Sequence, residues 1–506
     1  MSVPQSLRRT AALAATVVVF TAVAVQLHAR DFMVVAYNVE NLFDVDGISN
    51  YDDFKPDKYG AAQLSTKVRN AAGLLARFNG GKGPDVLMVD EVEIDFSSSD
   101  SKPDYAALLK KYSGTTVERM LSGDPSRDVA DLPAEFFLLK ELTDLGAGPY
   151  NLVVGGDSPG GSDRQSTVKC TLFSVFPVVE MRSHPTQSAR DILEVKLDVD
   201  GHPLYVFANH WKSGASDPAT EGMRIQNAGV LRARIDQLLS DDPHADIIIG
   251  GDLNSQYNQS IRYPQMRETG INTVLGSQGN ELAVRGADRP LYNLWYELKP
   301  ENRASDLYRD EWGTLMHIII SRGLYDYRGV QYIDNSFGVA KVAGVNADAT
   351  GRPIRWSNHG SGSGFSDHFP IFARFTTVSD NDASRWIALR NPSTQEESGA
   401  NVQRINYASM DLTQLAVKDS EIPPGTNLRD GTWNRKIFRV EGKVVGERPF
   451  TIEFRGEKWE VFSHNRELRT EFYQSHAIGD RVRFYGELGT YQGRWQFVIP
   501  DKSWIR

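Results

Sequence analysis

The chain has almost no cysteine. Cys170 is the only one, so no intrachain disulfide can form and no cysteine zinc site can be built. It falls in the apolar run 168–175, where a buried, inert thiol is expected. Long hydrophobic runs are also missing, apart from one near the start. Residues 11–25 are apolar, but a membrane span needs about 20 residues. A positive charge balance is lacking too. The 56 Lys and Arg against 65 Asp and Glu leave a formal charge of −9. That excludes a general attraction to nucleic acid, so a polyanion must be met by a local basic surface or a metal. No unit of roughly 20–50 residues recurs, which removes solenoids and propellers.

What is present is globular composition, 40% hydrophobic and 24% charged, over 506 residues. That length exceeds one ordinary core, so two or more domains are expected. Arg8 and Arg9 precede the early apolar run, and Leu27, His28 and Ala29 follow it. Charged, apolar and small-residue regions in that order read as a signal peptide over residues 1–29, cleaved near Ala29. The mature protein is then expected to be periplasmic or secreted, with no membrane anchor left. The arginine pair raises twin-arginine export, for which RRTAAL is a weak match.

Apolar patterning divides the rest. Strands are expected at 32–37, 86–89, 152–154, 169–175, 192–199, 204–208, 246–249, 315–320 and 370–375, and helical spacing at 64–78, 105–112, 136–142 and 222–239. Their alternation, with hairpin-like pairs, predicts an α/β domain with mixed sheets over 30–377. Residues 378–432 are polar and broken by proline, which reads as a linker. Five short strand patterns follow in 433–506, the expected signature of a small OB-like barrel.

The chemistry-bearing segments lie at the ends of the apolar runs. Asp252 and Asn254, in Ile248–Ser255, are two apart, and on an extended backbone they share a side. Asp367 and His368 place a carboxylate beside an imidazole. Such groups at strand ends are the parts that hold a phosphate, a divalent metal and an attacking water. Each has an ordinary alternative: Asn254 can shape a turn, Asp252 can cap one, Asn38 can bond backbone, and His210 can be a satisfied structural histidine.

In chain order the segments are YNVENLFD from Tyr37, DVLMVDEVE from Asp85, NHWKS from Asn209, GGDLNS from Gly250, LMHIIIS from Leu315 and SDHFP from Ser366. Together they resemble the endonuclease/exonuclease/phosphatase superfamily, over roughly residues 31–376. The resemblance implies a four-layer sandwich of two mixed β-sheets flanked by helices. It further implies a metal group of Glu91, Asn38, Glu40 and Asp367 using Mg²⁺, with Mn²⁺ or Ca²⁺ as alternatives. Asp252, Asn254, His210 and His368 are implied as catalytic residues, and Arg164 as a phosphate contact. Relatives normally carry an Asp where this chain has Met316, and that Asp orients the histidine matching His368. Asp310 and Glu311 lie upstream and reach the site only if the chain bends. On this ground Met316→Asp is expected to raise turnover. Asp90 stands where the family often has Gln.

In the C-terminal module 14 basic residues oppose 10 acidic ones. Strand alternation places Arg481, Arg483 and Tyr485 on one face, and Arg494 on the next strand, as an expected nucleic-acid surface. The function expected is an exported Mg²⁺-dependent phosphodiesterase, most simply a nuclease on DNA or RNA. The alternatives are a phosphodiesterase for lipid headgroups or small phosphate esters, and a degenerate binding protein, suggested by Met316. Nothing in the sequence sets an oligomeric state.

Overall fold

A computed structural model describes residues 29–96, 103–156, 167–187, 189–286, 289–378, 380–395, 397, 399–491 and 493–506. The expected signal peptide (residues 1–28 of it) and Arg164 lie outside them. The chain enters on β1 (Asp31–Leu42), and the amphipathic helix Ala61–Leu75 returns it to β2 (Val86–Glu93), parallel to β1. The helix Ala134–Asp144 leads to the hairpin of β3 (Asn151–Val154) and β4 (Val168–Ser174). The chain then crosses to a second sheet through β5 (Val178–His184), β6 (Ile192–Val199) and β7 (His202–His210). The long helix Pro218–Asp241 connects β7 to β8 (Asp246–Asp252), again parallel. Short strands β9 (Ser277–Gln278) and β10 (Leu291–Asn293) add an edge. The hairpin β11 (Asp306–Tyr308) and β12 (Glu311–Gly313) precedes β13 (Met316–Ile320), which pairs with β8. The chain returns through β14 (Asp326–Tyr327), β15 (Val330–Tyr332), β16 (Gly338–Val339) and β17 (Ile371–Thr377), the last antiparallel to β1.

Two seven-stranded mixed sheets result, one running β15-β17-β1-β2-β4-β3 with β16 on β17, the other β5-β6-β7-β8-β13-β10-β9. Strand alternation sets the layers. Val34, Ala36, Met88, Cys170 and Leu172 face Val195, Val206, Ile248 and Ile318 between the sheets. Val35, Tyr37, Leu87, Val89 and Phe173 face outward to Leu64, Val68, Leu75, Phe136 and Leu139 of the covering helices. On the other side Phe207, Ile247 and Ile249 meet Leu231, Ile235 and Leu238. This is the four-layer sandwich expected, and Cys170 is buried and free.

The C-terminal barrel is closed by β19 (Ile437–Glu447), β20 (Phe450–Phe454), β21 (Glu457–Phe462), β23 (Arg494–Val498) and β22 (Arg481–Tyr491), in that spatial order. A helix, Arg466–Gln474, links β21 to β22 and sends Leu468 and Phe472 into the barrel core. The stretch read as linker is built into both bodies. β18 (Asp382–Trp386) pairs with β14, and Glu397 pairs with Arg303 of the α/β domain. Farther on, Leu412, Ala416, Ile422 and Leu428 join the barrel core. Its polar sequence conceals these few well-spaced anchors.

Candidate active site

The parallel pairs β1–β2 and β7–β8 deliver their C-terminal ends to one edge of the sandwich, the usual place for a site in such sheets. His210, Asp252 and Met316 are in register across β7, β8 and β13, and Asn38 lies opposite Asp90 across β1 and β2. Both of the latter strands lose their register here, between Asn38 and Leu42 and between Val89 and Val92. Glu40, Asn41 and Glu91 take left-handed φ values of 52°, 65° and 65°. Such bulges turn side chains out of the pleat, at a cost in backbone strain that persists where surrounding structure imposes it. Gly251 precedes Asp252 at φ 112°, and a Cβ there would stand 2.2 Å from the Asn209 carbonyl oxygen.

Asn38 is the centre of the arrangement. Its Nδ2 donates to Glu91 Oε1 at 2.9 Å and to Asp252 Oδ2 at 3.1 Å. Its Oδ1 accepts from the Glu40 amide. Asp252 Oδ1 accepts from the Asn254 amide at 2.9 Å, while Asp90 accepts from the Asp252 amide at 2.8 Å. His210 Nε2 lies 3.7 Å from Glu91 and 3.8 Å from Asp252. His368 Nε2 lies 3.7 Å from Asp252 and 3.7 Å from Asp367. Ser366 ties this segment down, donating to the Asn38 carbonyl and accepting from the His368 amide.

Burial raises Glu91 to about 7, with Asp367 adding to it, and raises Asp252 as well. Burial holds His210 well below its usual value, so it is a neutral imidazole. His368 behaves oppositely. Burial alone would lower it, but Asp367, Asp252, Asp306 and Glu91 raise it to about 9. Glu91, His210 and Asp252 can each offer a ligand atom, all within 4.8 Å of one another. A buried and a half-buried carboxylate with a neutral imidazole fit a divalent cation, whose charge would offset their mutual repulsion.

Residues 163–377 match the Endonuclease/Exonuclease/phosphatase family. The match lies within the α/β domain and agrees with the superfamily resemblance of the sequence segments. Members of the superfamily are metal-dependent hydrolases of phosphate esters. Similar solved structures include truncated Caenorhabditis elegans TDP2, 13% identical, covering 69% of this chain and 98% of that one at a TM-score of 0.36. An endonuclease/exonuclease/phosphatase family protein from Bacteroides thetaiotaomicron is 12% identical over 70% and 98%, at 0.37. The human Nocturnin catalytic domain is 13% identical over 69% and 95%, at 0.36. No curated protein matches the chain.

The residues implied by the superfamily resemblance do converge, in a different grouping. His210 and Asp252 stand with Glu91. Asn38 turns its amide nitrogen, a donor, toward both carboxylates. Glu40 is occupied by Arg355 and the Trp356 amide, because its left-handed backbone swings the side chain away. Asp367 sits at the rim, 3.3 Å from the same Arg355. Asn254 leaves the strand at φ 46° and donates to the Trp211 carbonyl. Asp252 and Asn254 are therefore joined by a turn, not by strand alternation.

Met316 is wholly buried between the sheets. No carboxylate takes that place by hydrogen bond, since His368 Nδ1 is buried without a partner among the described residues, but Asp306 acts on the ring through its charge. Asp306 pairs with His368 backbone to backbone in an isolated antiparallel β-bridge, and its carboxylate accepts from Ser305 Oγ and the Leu315 amide, at 3.0 and 2.9 Å. Its charge is one of those that raise His368. The other upstream acids point elsewhere: Asp310 accepts from the Tyr407 hydroxyl, and Glu311 pairs with Arg262 and Arg404. His317 is structural, bonded to the Ser255 carbonyl and Asn293, and held at about 4 by burial.

Sequence reasoning missed Asp306, Lys67 and Arg355. Lys67 donates to the carbonyls of Glu40 and Phe365, and burial lowers it to about 8. A signal existed for it, since position 67 falls on the apolar stripe of Leu64, Val68 and Ala71. Asp306 and Arg355 carry no such mark. On the barrel, Arg481 and Arg483 are exposed, Arg483 lies 3.7 Å from Glu441, and Arg494 pairs with Glu460 at 3.2 Å. Tyr485 alternates onto the same side but is covered. It is 4% exposed, because the final turn returns Arg506 over it, hydrogen-bonded to its hydroxyl.

Proposed function

We propose that this chain is an exported, Mg²⁺-dependent nuclease that hydrolyses phosphodiester bonds of DNA or RNA. The observation carrying the proposal is the convergence of Asn38, Glu91, Asp252, His210 and His368 from four strand ends and the segment before β17. Export is supported by the leader-like residues 1–29. Glu91 and His210, with Asp252 beside them, would hold the cation, which when bound neutralises charge on the phosphate. Asn38 and the Asn254 amide fix both oxygens of Asp252, which accepts the proton of the attacking water. His368, cationic at neutral pH, donates to the phosphate as negative charge builds in the transition state. Asp306 and Asp367 keep that ring charged.

The test is nucleotide release from DNA and RNA oligonucleotides by purified mature protein, with Mg²⁺, Mn²⁺, Ca²⁺ or EDTA, beside Glu91→Ala. Cleavage should require a divalent cation and be lost in Glu91→Ala. Cleavage persisting in that variant removes the metal assignment. Release of phosphocholine or inositol phosphate with no cut oligonucleotide removes the nuclease reading.

A further inference from the structure

A cavity of about 310 Å³ opens at the seam between the α/β domain and the barrel, beside the catalytic rim. Four arginines line it: Arg309, Arg352 and Arg355 from the α/β domain and Arg435 from the segment entering β19. Tyr308 and Asp367 complete its catalytic side. The acids of the wall are already engaged. Glu487 pairs with Arg352 at 2.8 Å, Asp367 with Arg355, and Asp310 with the Tyr407 hydroxyl.

Arg309 and Arg435 form no ion pair with a carboxylate among the described residues. Arg435 is half-buried and uses its guanidinium on one carbonyl, that of Pro353 at 3.3 Å, leaving most of its five donors unspent. Burial, with Arg352 and Arg355 close by, holds its pKa below the usual value against the opposing pull of Glu487 and Asp348. A charge withdrawn from water without a directly paired counter-charge is costly, and a phosphate matches the guanidinium fork. Tyr308 is 63% exposed, with Arg309 stacked over its ring at 5.0 Å. An exposed aromatic beside free guanidinium groups is how proteins hold an unpaired base and its phosphate.

We infer that this seam cavity binds the phosphate neighbouring the scissile one on a nucleic-acid strand, with that nucleotide unpaired and its base on Tyr308. The inference rests on the nuclease reading and extends it to substrate grip. The barrel thereby contributes to the site, closing the cavity and supplying Arg435, whereas Arg483 and Arg494 face acidic partners of their own.

The experiment compares a short single-stranded oligonucleotide with bis(p-nitrophenyl) phosphate, a diester without a flanking phosphate, using the full mature chain and Mg²⁺. Arg435→Ala and Arg309→Ala should each raise the oligonucleotide KM by about tenfold, with kcat held within about threefold. Hydrolysis of bis(p-nitrophenyl) phosphate should change by less than about twofold. The salt dependence of log kcat/KM should become shallower by about 0.7 per arginine removed. Tyr308→Ala should also raise KM for the oligonucleotide alone, and Arg435→Lys should restore part of the binding. An unchanged oligonucleotide KM, or an equal loss on both substrates, overturns the subsite. Arg309 lies on an exposed hairpin, so its variant gives the reading even if Arg435→Ala loosens the seam. A parent chain that hydrolyses the small diester but no oligonucleotide refutes the nuclease function itself; one that cleaves both while the variants behave normally refutes only the cavity.

Discussion

Replacing Asn38 with Asp changes one NH2 group to an oxygen and leaves shape and volume alone. Two hydrogen bonds to charged acceptors disappear, those to Glu91 at 2.9 Å and Asp252 at 3.1 Å. Such bonds are worth about 1.5–3 kcal/mol each, so roughly 3–6 kcal/mol is at stake in EDTA at pH 8. Like charges at about 3 Å would add to this, but the three carboxylates relieve it by keeping a proton, as like-charged pairs do. The loss should therefore shrink as pH falls toward 5. A domain of about 350 residues unfolds with an entropy near 2.1 cal/mol/K per residue, or about 1.4 °C for each kcal/mol. The expected drop is roughly 4–8 °C in EDTA. Added Mg²⁺ should recover much of it by supplying counter-charge. Scanning calorimetry of both proteins at pH 5 and 8, with EDTA and with Mg²⁺, measures all four cases. Equal melting temperatures in EDTA at pH 8 would refute the view that this amide holds the two carboxylates together.

Asp306→Asn should lower turnover by roughly 10- to 100-fold with little change in substrate KM, measured by steady-state kinetics; an undiminished rate would remove Asp306 as one of the charges that keep His368 protonated. Met316→Asp, for which the sequence predicts a gain, should instead lose stability and gain no activity, since it buries an unpaired carboxylate between the sheets; faster turnover would contradict this. Gly251→Ala should cost upwards of about 4 kcal/mol in urea unfolding, because its Cβ meets the Asn209 carbonyl at 2.2 Å and Asp90 at 2.9 Å; near-native stability would show the turn to be adaptable. Burial raises Glu281 to about 7 and Glu297 to about 8. The folded chain therefore keeps protons that the unfolded chain releases above about pH 4.3, and stability falls as pH rises from there through 8. Glu297→Gln should flatten that slope, and unfolding midpoints that decline as steeply as in the parent would count against it.

The amino-acid order alone determined the two-body architecture and the positions of the long strands, and its resemblance to the superfamily singled out Asn38, Glu91, Asp252, His210 and His368. Apolar alternation and helical spacing are local properties, and strand ends bearing Asp, Asn and His are visible in any one stretch. Tertiary structure decided what depends on approach between distant segments. It set Asp306 beside His368 from 62 positions upstream, swung Glu40 to Arg355 across 315, and folded Arg506 over Tyr485. It also drew Arg309 and Arg435 to one cavity. A charge acquires its role from the field of its neighbours, and which neighbours it has is settled only when the sheets close on one another.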